Sequence, residues 1–250
     1  MRIRLSLAAA AAALLTATGA LAETPQGAAD RLDAFLDRFG GIEPGYAVVA
    51  VTADDVLLEH VEGVRHTATG APLTADTPLY IASQTKAYMG LLASWLDREG
   101  ILALDSTIAD HWPDIDFPEG VDPADWTLRD LLTHQVPIDV DRLTVLEAYV
   151  TRVDPADYPA LIAQYGEARE PGFDYDNLGY NIYGAILESE TGRSWQDWLD
   201  EVIFEPMGLG RTSARTSDFP LDEIAWNHIW QGEEDGWADV PPKTDRKSVV

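Results

Sequence analysis

In "QGAADRLDAFLDRF", residues 26–39, apolar side chains recur at Ala29, Leu32, Phe35, Leu36 and Phe39. That spacing marks one face of a helix, and Gly40-Gly41 is expected to stop it. The period then changes. "GYAVVAVTADDVLLEHVEGVRH" predicts two strands around an Ala-Asp-Asp turn, one buried and one alternating. A helix followed by a hairpin suggests an antiparallel sheet covered by helix. A second long helix is predicted from about Ser83 to Glu99, closing at Gly100, where glycine accepts a left-handed conformation at little cost.

From about residue 101 to 205 the strand signal nearly vanishes. Thr127 with Asp130, and Ser194 with Asp197, read as capped helix starts, and "LGYNIYGAILESETG" as a further amphipathic helix. These features predict a helical subdomain, about 101–205, inserted after the sheet. The fold class expected is therefore α/β in the α+β sense, an antiparallel sheet flanked by helices. "EIAWNHIWQGEEDGW" carries no assignable pattern, and Trp226, Trp230 and Trp237 read as packing aromatics rather than a ligand platform.

Composition adds a compartment. Residues 1–22, "MRIRLSLAAAAAALLTATGALA", pass from two arginines through an apolar Ala/Leu stretch to small residues, the pattern of a signal peptide cleaved after Ala22. A mature chain from Glu23, periplasmic or secreted and without a membrane anchor, is the expectation. The chain has no cysteine, so neither a disulfide framework nor a lipid-attachment cysteine is available. A formal charge of −26 disfavours nucleic acid and anionic lipid as partners and describes a solvated acidic coat.

Candidate chemistry begins at "YIASQTKAYMG", residues 80–90. Lys86 is the only lysine before Lys243; every other Lys/Arg position in that span holds arginine. Lys86 lies one helical turn after Ser83 on the same face, within reach of its hydroxyl. A serine attacks poorly unless a base takes its proton, and lysine serves when it stands neutral. Desolvation beneath Met89, Leu91 and Leu92 and the positive end of the helix dipole favour that state. Arginine is effectively always protonated and could not substitute. From S-x-x-K alone, a snorkelling surface lysine remains the alternative.

Other chemistries find less support. No G-x-S-x-G, H-E-x-x-H or G-x-x-x-x-G-K-[ST] pattern occurs. His60 and His66 lack a third ligand in sequence and read as structural, while His134 and His228 stand as single histidines. No metal or organic cofactor is expected. The second candidate stretch is "PGFDYDNLGYNIYG", residues 171–184, where Tyr175-Asp176-Asn177 lies between Pro171-Gly172 and a helix. A phenol can relay a proton and an amide can orient substrate and lysine, although Y-x-N alone is a weak signal.

Together these segments resemble the serine β-lactamase-related hydrolases: class C β-lactamases, D-alanyl-D-alanine carboxypeptidases, and esterases and D-aminopeptidases of the same β-lactamase/transpeptidase-like fold. The likeness runs from about Ala29 to Ser213. It rests on "TPLYIASQTKAYMGLLASWLDREGILALDSTIADHWPD", on "TLRDLLTH" and on "PGFDYDNLGYNIYGAILESETGRSWQDWLDEVIFEPMGLGRTS". It implies Ser83 as acylated nucleophile, Lys86 as base, Tyr175 as proton shuttle and Asn177 as the contact to substrate and lysine. The Ser83 N–H would supply half of the oxyanion hole.

Three features depart from the family pattern. Gln135-Val136-Pro137 replaces the small-residue turn that follows Thr-His. Asp176 stands where serine is frequent, and its negative charge favours a charged lysine. The Lys/His-x-Gly motif of a later strand is not reached, so the C-terminal strands of the fold are expected to be missing. "DRKSVV" matches the translation of a common sequencing adapter, so residues 245–250 are expected to be foreign and the gene to continue past about Thr244. The domain would then be a partial one over 23–244. One edge of residues 45–52 should lack a ladder partner, leaving the 23–250 polypeptide inactive and aggregated or only loosely folded. The function expected of the full protein is an exported serine hydrolase acting on an amide or ester, whether β-lactam, D-amino-acid peptide or ester. The alternative is a non-catalytic penicillin-recognising or peptidoglycan-binding relative.

Overall fold

The computed structural model describes residues 24–38, 43–140, 142–143 and 153–242. The expected leader over 1–22, Phe39, Gly40-Gly41 and the 245–250 tail lie outside the described residues. The described residues form two compact units, one up to Thr77 together with His228–Asp239, and one over Pro78–Asn227 together with Val240 onward.

The first unit opens with helix α1, Pro25–Leu36, whose Thr24 cap accepts a hydrogen bond from Gly27 N at 3.1 Å, with proline in the first turn. Strands β1, Gly45–Val51, β2, Val56–His66, and the short β3, Ala71–Pro72, pair antiparallel in the order β1-β2-β3. Gln26 donates to the Leu57 carbonyl, and His60 Nδ1 lies 2.8 Å from Asp33, tying α1 to β2. The fully buried strand expected here is corrected: β1 alternates, with Val49 and Val51 exposed. Its apolar run is covered on one face only. Phe35, expected on the buried face of α1, is exposed too, because the helix seats through small Ala29 and polar bonds. Among the described residues β2 is the one ladder partner of β1, so the outer edge of β1 is open.

The Trp-rich segment that sequence left unassigned is a hairpin. Strands β6, Asn227–Trp230, and β7, Trp237–Val240, pair with each other, and Trp230 meets Trp237 edge-on at 5.3 Å. Asp239 fastens it by accepting from Thr67 N at 2.9 Å and Ala68 N at 3.0 Å.

The second unit is mainly helical. A 3-10 turn, Ala82–Gln84, runs into α2, Thr85–Arg98; then follow α3, Ile108–His111, α4, Leu128–Leu132, α5, Tyr158–Tyr165, α6, Leu178–Thr191, and α7, Trp195–Leu199. Among the described residues its strand pairing is a two-residue ladder of β4, Ile138–Asp139, with β5, Glu167–Ala168, and a single bridge between Thr107 and Thr127. Capping boxes at Thr127/Asp130 and Thr107/Asp110, and the Ser194 side chain on Asp197 N, start helices where the sequence offers oxygen acceptors. Gly100, at φ +71°, ends α2. Met89, Leu92 and Leu96 of α2 pack in one core with Leu128 and Leu131 of α4 and Ile182, Tyr183 and Ile186 of α6. Each such side chain contributes roughly 1.5–3 kcal/mol.

Helix α6 is not amphipathic as expected: Leu178 to Leu187 are all buried. It is a central helix, packed on every side over its first turns. Gly179 permits its closest approach, since a Cβ there would meet the Leu131 carbonyl oxygen at 2.3 Å. Gly179→Ala is therefore expected to cost about 1–3 kcal/mol by overpacking. Denaturant titration checks this; an unchanged midpoint would show that α4 yields freely.

Candidate active site

The buried stripe of α2 begins with a lysine. Lys86 occupies the position one turn before Met89 and is 7% exposed, whereas Ser83, one turn earlier, is exposed. The surface-lysine alternative is thereby excluded. A buried amine needs partners, and Lys86 has them: Nζ lies 3.2 Å from Ser83 Oγ and 2.7 Å from Asn177 Oδ1. The expected apolar cover is partly corrected. Met89 and Leu92 are buried, but Leu91 faces outward. Aromatic rings take its place, with Lys86 Nζ 5.0 Å from the centre of Tyr175 and 5.5 Å from that of Tyr180.

The backbone just before the serine is held in an uncommon conformation. Ala82 has φ +46°, which a Cβ-bearing residue rarely adopts, and it opens the 3-10 turn that carries Ser83. The only other non-glycine with positive φ among the described residues is His134, at +60°. It follows α4 and lies beside Tyr175, with ring centres 4.7 Å apart.

Tyr175 and Asn177 are presented by the loop leading into α6. Asn177 is the cap residue of that helix, yet its side chain goes to Lys86. Asp176 performs the capping instead, its Oδ1 accepting from Gly179 N at 3.0 Å. The carboxylate that sequence analysis set against the lysine thus bonds to a helix N-terminus, where negative charge is favoured. Burial by itself raises the Tyr175 hydroxyl, but hydrogen bonds to Ser83 and Lys86 and the nearby ammonium bring it below the usual tyrosine range.

The departure at Gln135-Val136-Pro137 is held from the opposite strand. Arg169 donates to the carbonyls of Val136 at 2.9 Å and Gly172 at 3.0 Å, and its own N–H to Pro137 O at 3.0 Å. This clamp fixes one wall of a groove of about 300 Å³ lined by Ile138, Asp139, Arg169, Asp174, Tyr175 and Asn177. A smaller hollow of about 110 Å³ is lined by residues flanking the serine, among them Tyr80, Ala82 and Thr85. Sequence reasoning missed His134 and Arg169; the signal for the first was its place at the end of "LLTH".

A family model described as Beta-lactamase matches residues 30–247. The chain belongs to the β-lactamase family. Within that family it is 30% identical over 190 residues to Penicillin-binding protein 4 of Amycolatopsis lactamdurans, covering 74% of this chain and 49% of the relative. The chain thus spans about half the length of that curated relative. The fold is shared with the D-amino acid amidase from Ochrobactrum anthropi SV3 complexed with L-phenylalanine amide, at TM-score 0.68 and 24% identity, covering 84% of this chain and 60% of that one. It is shared also with EstCE1, a hydrolase with promiscuous acyltransferase activity, at TM-score 0.67 and 20% identity, over 89% of this chain and 66% of that one.

Among the described residues, Asp33, Asp37 and His60 are the one grouping of ligand atoms close enough to hold a metal ion, within 4.8 Å of one another. The His60 nitrogens lie against Asp33 and Tyr46, and the group reads as helix-on-sheet packing.

Proposed function

We propose that the protein is a serine hydrolase that cleaves an amide or ester through an acyl-Ser83 intermediate. The observation that carries this reading is a buried lysine amine in contact with an exposed serine hydroxyl and with the Asn177 amide. Ser83 Oγ attacks the substrate carbonyl carbon while Lys86 takes its proton, and the carbonyl electron pair moves onto oxygen. The Ser83 N–H, in the first turn of its helix and so without an intrahelical acceptor, is one donor for that oxyanion. As the carbonyl re-forms, the bond to the amine or alcohol breaks, and the proton passes from Lys86 through Tyr175 to the leaving group. Water then repeats the sequence on the acyl-serine and releases the acid. Asn177 orients Lys86 and the substrate.

The relatives' names support this class of chemistry, an amidase and a hydrolase among them. Export is part of the proposal and rests on the leader pattern of residues 1–22. No described helix is long and apolar enough to cross a membrane.

A fluorophosphonate should label the full-length protein stably on the Ser83 peptide, and a fluorescent penicillin should label the same peptide with slow release. Ser83→Ala should remove the label. Labelling that survives this substitution overturns the assignment, and a stable penicillin adduct with no turnover of any amide or ester marks a binding protein.

A further inference from the structure

His134 is 8% exposed and is surrounded by the rings of Tyr175 at 4.7 Å, Tyr180 at 5.5 Å and Phe173 at 5.8 Å. Its backbone carbonyl accepts from Asp174 N at 3.0 Å, and its Nδ1 accepts from Asp176 N at 3.3 Å. A backbone N–H can only donate, so Nδ1 must be the unprotonated nitrogen and the ring the neutral Nε2–H tautomer. The two bonds grip the residues on either side of Tyr175 while the imidazole supports its ring. The positive φ at His134 is what turns carbonyl and side chain toward the same loop.

We propose that His134 is a positioning residue, which in its neutral form holds the Tyr175 hydroxyl on Ser83 and Lys86 and on protonation releases it. The inference rests on the proposed role of Tyr175. The charged groups facing the imidazole are Lys86 of α2 and Arg169, which oppose a proton, and Asp174 and Asp176, which favour one. Tyr175 and Tyr180 are the other titratable neighbours. Burial outweighs these charges and holds the imidazole below the usual histidine range. At neutral pH the acceptor is therefore present. As pH falls through the window below about 6.5, Nδ1 gains a proton, faces the Asp176 N–H donor to donor, and the loop loses its hold.

Two substitutions separate positioning from packing. His134→Asn keeps an acceptor near the Nδ1 position and tolerates positive φ, but does not titrate; His134→Phe keeps the ring and loses the acceptor. In the full chain, His134→Phe should lower kcat and kcat/KM together by about 10²-fold. His134→Asn should lose less and should lack the His134 contribution to the acid limb of the wild-type acylation profile, keeping only the fall that protonation of the base brings. Phe outperforming Asn, or an unchanged acid limb in Asn, overturns the proposal and leaves a packing residue. A readout independent of turnover is the ring carbon NMR shift of labelled Tyr175. It should move with the His134 titration in wild type and stay flat through that pH range in His134→Asn. If wild type fails to acylate but this coupling holds, the hydrolase reading fails and the positioning of Tyr175 stands. A flat Tyr175 signal in wild type overturns the positioning itself.

Discussion

Lys86→Arg is expected to abolish acylation of Ser83 while leaving the protein folded. The substitution retains an N–H donor facing Asn177 and the Tyr175 ring, so the hydrogen-bonded support of the site is largely kept. It removes the one property that arginine cannot supply, an amine that can stand neutral and accept a proton. Serine attack without a base would then proceed only through whatever protein dipoles and solvent offer, a loss on the order of 10²–10⁴-fold or more. Burial makes the outcome diagnostic. At 7% exposure the longer guanidinium must fit among Tyr175, Tyr180 and Asn177, and any packing cost appears as a lower melting temperature, read separately by circular dichroism. Undiminished labelling by the fluorophosphonate in a folded Lys86→Arg protein would show that the amine is no base. Loss of label together with loss of fold would call for Lys86→Met, which keeps length and apolar stem without the charge.

Much of this site was legible because its parts have local grammar. A serine three residues before the only lysine in a long stretch is visible to anyone counting charges, and helical periodicity places both on one face. The capping pairs at Thr127 and Ser194 and the glycine at 100 are equally local, since each satisfies a helix end with its own neighbours. His134 was legible only as the end of "LLTH", with nothing to name its partners. A lone histidine has no spacing, and its partners at 173–180 are brought to it only by α4 packing on α6. The burial of α6 was misread for a related reason: Asn181 and the tyrosines give the sequence a polar face, yet they are enclosed by neighbours that no periodicity announces. The Trp-rich hairpin escaped because its fastening, Asp239 on Thr67, joins residues 172 apart in the chain. Leu91 shows the opposite error: an apolar residue beside the lysine in sequence points away from it on the helix.

Tyr175→Phe is the second large effect expected. The change removes one hydroxyl and almost no volume, and the side chain is 55% exposed, so the core loses nothing and the melting temperature should move little. The ring contact with His134 survives, because it involves the face and not the oxygen. What is lost is a hydroxyl beside Ser83 and Lys86, and the proposed relay role predicts a rate loss on the order of 10²–10⁴-fold in turnover. The environment sets this hydroxyl apart from those of Tyr46, Tyr180 and Tyr183, which are shifted upward. Burial holds Tyr183, deep in α6, well above the usual tyrosine range, whereas contacts with Ser83 and Lys86 bring Tyr175 below it. A phenol shifted downward exchanges its proton more readily near neutral pH, and a lysine one contact away can replenish it. The pH profile tests this sign: a tyrosine limb below about 10 should be present in wild type and absent from Tyr175→Phe. Steady-state hydrolysis of an ester and an amide substrate, with thermal unfolding in parallel, completes the comparison. Unchanged turnover with lowered stability would make Tyr175 a packing residue, and the proton path would have to run from Lys86 directly to the leaving group.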